Sequence, residues 1–402
     1  MRHAFHERVR DALRDVTAPA EGQAEERGWA VVREAFAERE PQPRVAGLRR
    51  RGAIGLAIAA AVTAFALSPA GAEVRDWIED AITTGEEDAR PLLGSLPASG
   101  SVLVESRDGV WVVSSDGSRR HLGDYRHATW SPHGLYVGAS DGRRLFALTP
   151  QGVQRWSIAA PAPIDALDWS SDEGYRIAYV AGRELRVVAG DGTGDARLVP
   201  EVGAAVVAWR PESLSSAARH ELAYVDARNR VVIRDTDTGR VVGRSEEVPD
   251  KVGSLQWSAD GEYLLVEASG FASLVDATGA GLFKGPVATG SSATLAPSGE
   301  RIAVVRPDRS GLAELALVRP GFEPGRGRVL YPTAPGTGGV GFGPPVFSPD
   351  GEWILLPWPQ ADQWIFVRVA DRRVVPVGDI SRQLDPDGRG ATDFPRVAGW
   401  CC

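Results

Sequence analysis

From residue 101 to the end, short apolar runs alternate with polar turns. Arg176-Ile177-Ala178-Tyr179-Val180 and Tyr263-Leu264-Leu265-Val266 are rich in β-branched and aromatic residues, too short for helices, and bounded by turn formers. That pattern predicts β-strands. Shorter companions follow, Leu185-Arg186-Val187-Val188 after the first and Val231-Val232-Ile233-Arg234 in a neighbouring stretch. Polar turns such as Asp191-Gly192 and Asp237-Thr238-Gly239 then lead into a further strand.

A repeated anchor orders these strands. It reads Trp130-Ser131-Pro132-His133-Gly134, Trp169-Ser170-Ser171-Asp172, Trp209-Arg210-Pro211, Trp257-Ser258-Ala259-Asp260-Gly261, Leu295-Ala296-Pro297-Ser298-Gly299 and Phe347-Ser348-Pro349-Asp350-Gly351. Successive copies lie 39, 40, 48, 38 and 52 residues apart. The shorter spacings match a four-stranded meander, the blade of a β-propeller. In each copy the apolar residue ends an inner strand, while Pro and Asp-Gly suit a tight turn. The anchors resemble the WD40-like repeats of TolB-type propellers over about 300 residues. That resemblance implies a fold and says little about function.

The ends of this region complete the scheme. Ser101–Glu105, Val110–Val113 and Arg119–Leu122 read as second, third and fourth strands without an inner strand before them. Phe394–Trp400 reads as an inner strand reaching its aromatic residue. Joined, they make a composite blade, giving seven blades, or six if the Trp209 region is irregular. Closure would leave no free sheet edge. Trp130, Trp169, Trp209, Trp257, Leu295, Phe347 and Trp400 are the expected blade anchors.

The first hundred residues follow a different rule. Phe5, Val9, Leu13 and Val16 recur at helical spacing, and Trp29, Val32 and Phe36 share a second helical face. Residues 1–51 therefore read as a helical arm, with Leu13, Trp29, Val32 and Phe36 as candidate partner-binding residues. Residues 52–72 carry no charge and are long enough for a transmembrane helix of about 30 Å. Arg49, Arg50 and Arg51 precede them, which by the positive-inside rule places the arm in the cytoplasm and the remainder outside. Two rivals stand beside this reading: cleavage after the small residues Ala70-Gly71-Ala72, with the Arg run similar to a twin-Arg signal, and a buried soluble helix. Residues 73–100 read as a juxtamembrane helix and linker, and 101–402 as the propeller. The layout resembles bacterial membrane-bound anti-sigma factors, which implies a sigma factor as protein partner of the arm. Their zinc-binding His/Cys motif is absent, since the arm has no Cys.

Charge and candidate chemistry narrow the function classes. A net charge of -8 argues against a general nucleic-acid binder. Cys401 and Cys402, the only cysteines, cannot staple distant parts of the fold. No Gly-x-Ser-x-Gly elbow, phosphate loop or dinucleotide fingerprint occurs. His127 could approach Asp165 or Asp168 across one blade, yet nothing singles that pair out. Two long loops entering inner strands, Pro332–Pro345 and Asp379–Asp393, should converge on one face. The second offers Asp379, Asp385, Asp387, Arg389 and Asp393 as candidate ligand residues, but lacks the length and terminal Glu of a calcium loop. Trp358 and Trp364 read as packing residues or as an aromatic platform. The leading expectation is a membrane-anchored, non-enzymatic sensing propeller without cofactor or metal. The alternatives are a structural or scaffold propeller of the cell envelope, and a hydrolase or lyase built from propeller loops.

Overall fold

Strands apolar along their whole length need cover on both faces, and sheets stacked side by side supply it. Ile177–Ala181, Leu222–Val225 and Ile302–Val304 are buried at every position. The computed structural model describes residues 94–170, 175–211, 220–269, 271–276, 283–289, 292–307, 313–319, 327–331, 341–385 and 393–402, with backbone alone for 276 and 283–289. All belong to one unit, Trp77–Cys402.

Numbered along the chain, 28 strands form seven four-stranded antiparallel sheets among the described residues. Blade 1 is composite. It runs in the order β28 (Arg396–Cys401), β1 (Ser101–Ser106), β2 (Gly109–Ser114) and β3 (Arg119–Gly123). Blades 2 to 7 follow in sequence. Their inner strands are β4 (His127–Trp130), β8 (Ile164–Trp169), β12 (Val202–Trp209), β16 (Val252–Trp257), β20 (Ser292–Leu295) and β24 (Val346–Phe347). Each inner strand touches the next, and β28 touches both β24 and β4, so the ring of inner strands is closed. The residues around Trp209 form a regular blade of four strands.

Closure rests on the chain ends meeting. Val102 pairs with Trp400 and Ser101 with Cys401, with a bulge between Leu103 and Val104. The Trp400 indole N–H donates to the Ser99 carbonyl at 3.1 Å. Gly100 has φ +93°, and a Cβ there would lie 2.4 Å from the Cys401 carbonyl oxygen. Only glycine fits so close a backbone approach.

The anchor turns use serine in a way the sequence reading overlooked. The Oγ atoms of Ser131, Ser170, Ser258 and Ser348 accept the N–H groups of Tyr136, Arg176, Tyr263 and Trp353 at 2.7–2.9 Å. The same serines donate their own N–H to the carbonyls of those residues. All four are buried. The hydroxyl thus satisfies a backbone donor at the start of the second strand that would otherwise be orphaned. Gly134, Gly261, Gly299 and Gly351 carry positive φ of 65–73° and complete the turns.

The expectation of helices ahead of the propeller is corrected. Among the described residues no helix is long and apolar enough to cross a membrane. The only α-helix described is the four-residue Ile380–Gln383. Residues 1–51, with Leu13, Trp29, Val32 and Phe36, and residues 52–72 lie outside the described residues. The fold class is therefore seven four-stranded sheets arranged as a propeller. The single-pass topology, the cytoplasmic arm and the exported, extracytoplasmic placement are withdrawn, since hydropathy and charge flanks alone carried them.

Candidate functional site

Every blade alternates ends, so its turns sort onto two faces. Turns joining first to second and third to fourth strands lie on one, here called the turn face. Second-to-third turns and the connections into inner strands lie on the other.

The inner strands are tied to one another by polar side chains. Where Arg210 N–H bonds to the second strand, at the Glu221 carbonyl, the adjacent Trp209 N–H points the other way. The Asp168 carboxylate of the preceding blade accepts that Trp209 N–H at 2.8 Å. Gln256 repeats the device one residue before Trp257, its Oε1 accepting the Leu295 N–H and the Thr294 hydroxyl, each at 2.9 Å. Glu105 accepts the Ala128 N–H at 2.8 Å and is gripped by Arg396 at 2.6 Å. Glu267 accepts the Ala293 N–H at 3.0 Å and the Ser254 hydroxyl at 2.6 Å. Burial pushes the Asp168 carboxyl up to about 7, against hydrogen bonds from Trp209, Trp169 and Thr129 that favour the charged form. Burial likewise raises Glu267. These carboxyls hold blades together. Asp168 is engaged with its neighbouring blades, and His127 makes no hydrogen bond with it or with Asp165.

One His–Asp pair does form. His220 Nδ1 lies 2.5 Å from Asp237, whose other oxygen meets Arg176 at 2.7 Å. Burial works to raise the Asp237 carboxyl, but hydrogen bonds from His220 and Arg176 outweigh it and hold it below the usual carboxylate range. The trio joins the turns of blades 3 and 4. Beside it an open hollow of about 380 Å³ is lined by Arg176, Arg197, Thr193 and Thr236. Among the described residues no group of His, Cys, Asp or Glu could hold a metal ion.

The loop residues singled out in the sequence fare unequally. Asp379 is exposed and precedes the short helix Ile380–Gln383 with φ +56°. Asp393 is exposed, and Asp385 is partly buried. Asp387 and Arg389 lie outside the described residues, as does most of Pro332–Pro345. Each of Trp130, Trp169, Trp209, Trp257, Leu295 and Phe347 ends its inner strand, and Trp400 stands one residue from the end of β28. Trp364 is fully buried in a core cluster, edge-on to Phe366. Trp358 is half-buried at a second-to-third turn, edge-on to Phe342, which in turn meets Tyr331.

The turn face carries two features that sequence reasoning missed. The five exposed large apolar side chains of the described residues are Leu135, Val153, Tyr175, Val242 and Val374, and all five stand at its turns or strand starts. A basic residue also stands within one residue of the first position of every fourth strand. Arg120, Arg155, Arg197, Arg240, Lys284, Arg328 and Arg373 occupy that place in blades 1 to 7. The signal was present as a basic residue shortly after each third-strand turn. It is only legible once the strands are in register.

The sheets define the class, a seven-bladed β-propeller. No protein-family model matches the chain, and no curated protein matches it. Among solved structures it is similar to the β-propeller domain of Swd1 from Myceliophteria thermophila, with 14% identity and a TM-score of 0.47. That match covers 70% of this chain and 98% of the other. It is also similar to Hsv2 from Kluyveromyces lactis, at 10% identity and a TM-score of 0.48, covering 67% and 89%. At these identities and scores neither likeness bears on function, and the fold rests on the observed sheets. The expected TolB-type and anti-sigma-factor resemblance is not upheld: the similar solved structures named here are Hsv2 and Swd1 propellers, and nothing among the described residues supports a bacterial membrane regulator or a sigma-factor partner.

Proposed function

We propose that this chain is a non-enzymatic scaffold propeller that binds protein partners on its turn face. The carrying observation is that all five exposed large apolar side chains of the described residues stand on that face. Single exposed apolar residues are ordinary, and that all five fall on one face supports reading that face as the interaction surface. The rigid ring beneath suits display of short turns. The membrane-anchored sensor gives way to the scaffold alternative, without its cell-envelope placement.

Site-specific photo-crosslinking in the native cell tests it. A crosslinkable residue at Glu262 or Glu352, on the turn face, should yield a defined protein adduct whose purified component binds saturably. The same group at Arg143 or Arg228, on the opposite face, should not. Adducts confined to the opposite face, or none from either, would overturn the proposal.

A further inference from the structure

Four anchor turns close alike, the glycine N–H bonding back to the carbonyl three residues earlier, and blade 2 alone adds a second left-handed residue, His133 with φ +60°. After the left-handed glycine, three of them place an acid: Glu262, Glu300 and Glu352. Blade 2 places Leu135 there, 63% exposed. Before the glycine, Asp260 and Asp350 give way to His133. Packing does not require a leucine at a position where three sibling blades carry glutamate. Val153, 57% exposed, adds a second apolar side chain in the third-strand turn of the same blade. That turn is closed by Gly152 N–H to the Thr149 carbonyl and Thr149 N–H to the Val153 carbonyl. The pairing of Val137 with Leu148 brings the two turns to the ends of neighbouring strands.

The surroundings of this corner are cationic. Between blades 1 and 2 a hollow of about 260 Å³ is lined by Ser114, Ser118, Arg119, Arg120, Pro150 and Gln151. Arg119 turns the other way: it stands across from Val113 on the blade 7 side and bonds to the backbone and side-chain oxygens of Gln383, whereas Arg120 stands across from Val112 on the blade 2 side. Arg120 and Arg155 are exposed and meet no carboxylate. Asp116 is the acid of the bordering turn, exposed and accepting the Ser118 N–H. In a chain of net charge -8, Arg120 across the hollow from the Val153 turn and Arg155 at the end of that turn form a local excess of positive charge.

We infer that the blade 1–blade 2 corner of the turn face docks a peptide segment of a partner protein in which acidic and apolar residues alternate. Its apolar side chains cover Leu135 and Val153, and its carboxylates meet Arg120 and Arg155. This rests on the scaffold reading and names the partner chemistry for one sector of that face.

The probe is a fluorescently labelled synthetic peptide of alternating Leu and Asp, titrated against the full chain by anisotropy. Saturable binding that weakens with added salt is expected. Versions with Lys for Asp, or Ser for Leu, should bind at least about tenfold more weakly. Leu135→Glu, which places there the residue the sibling turns carry, should cost about tenfold, as should Arg120→Glu with Arg155→Glu, each with circular dichroism and an unfolding midpoint matching wild type. Glu300→Gln, in a remote blade, should leave affinity unchanged. No binding, equal binding of the Lys peptide, or affinity indifferent to both variants would overturn the inference. If crosslinking from Glu262 or Glu352 succeeds while the peptide fails, only this inference falls and the scaffold reading stands.

Discussion

Replacing Asp168 with asparagine removes a buried charge while leaving an acceptor for the Trp209 N–H. Gln256 shows that an amide serves at this place, since it holds Leu295 N–H at 2.9 Å where Asp168 holds Trp209 N–H at 2.8 Å. The folded carboxyl keeps its proton up to about pH 7, against an ordinary value of 3.8. Between those values the folded chain binds more protons than the unfolded one, so this group's contribution falls as pH rises. It is fully present below 3.8 and lost above 7. About three units correspond to roughly 4 kcal/mol at about 1.36 kcal/mol each. Urea unfolding of both chains at pH 5 and pH 8 isolates the contribution, because every other titrating group is shared. The asparagine chain should gain on wild type by a few kcal/mol between the two pH values and be the more stable at pH 8. Asp168→Ala should instead be destabilised at both, by about 1–3 kcal/mol for the orphaned Trp209 N–H. Parallel pH dependences for wild type and Asp168→Asn would refute the reasoning.

Ser348→Ala removes the acceptor for the buried Trp353 N–H and should cost about 1–3 kcal/mol in denaturant unfolding, with the change absent for the exposed Ser298→Ala. Glu221→Gln leaves Arg210 buried without its carboxylate partner, 2.7 Å away and equally buried, and should destabilise by about 3–5 kcal/mol by the same assay. Gly100→Ala sets a Cβ against the Cys401 carbonyl and should prevent β28 from pairing with β1. Amide exchange in Val102–Val104 would then rise well above wild type, and unchanged protection would count against the closure described here. Removal of residues 396–402 should expose the edge of β1 and promote aggregation, read by light scattering at equal concentration.

The repeated anchor was legible because turn chemistry is local. Pro, Asp and Gly impose their dihedral angles whatever surrounds them, so six inner-strand ends could be placed from residue types alone. The incomplete pieces at Ser101 and Trp400 announced a composite blade for the same reason. Hydropathy and flanking arginines in residues 49–72, by contrast, suggested a membrane anchor that no finding supports, and a resemblance of layout drew the arm toward a sigma factor.

The candidate site was less legible, since its residues belong to different turns. Arg120 and the Val153 turn are separated in sequence and border one hollow only when blade 2 packs beside the composite blade. Asp168 looked like a candidate for chemistry until the inner ring set it against the Trp209 N–H of the next blade. Local rules determined which residues would be strands, anchors and turns, because backbone preference acts within a few residues. Which side chains share a face, which acids are buried and which cations stay unpaired was decided by closing seven sheets into a ring. Burial and Coulomb interactions depend on distance in space, and the ring alone sets those distances.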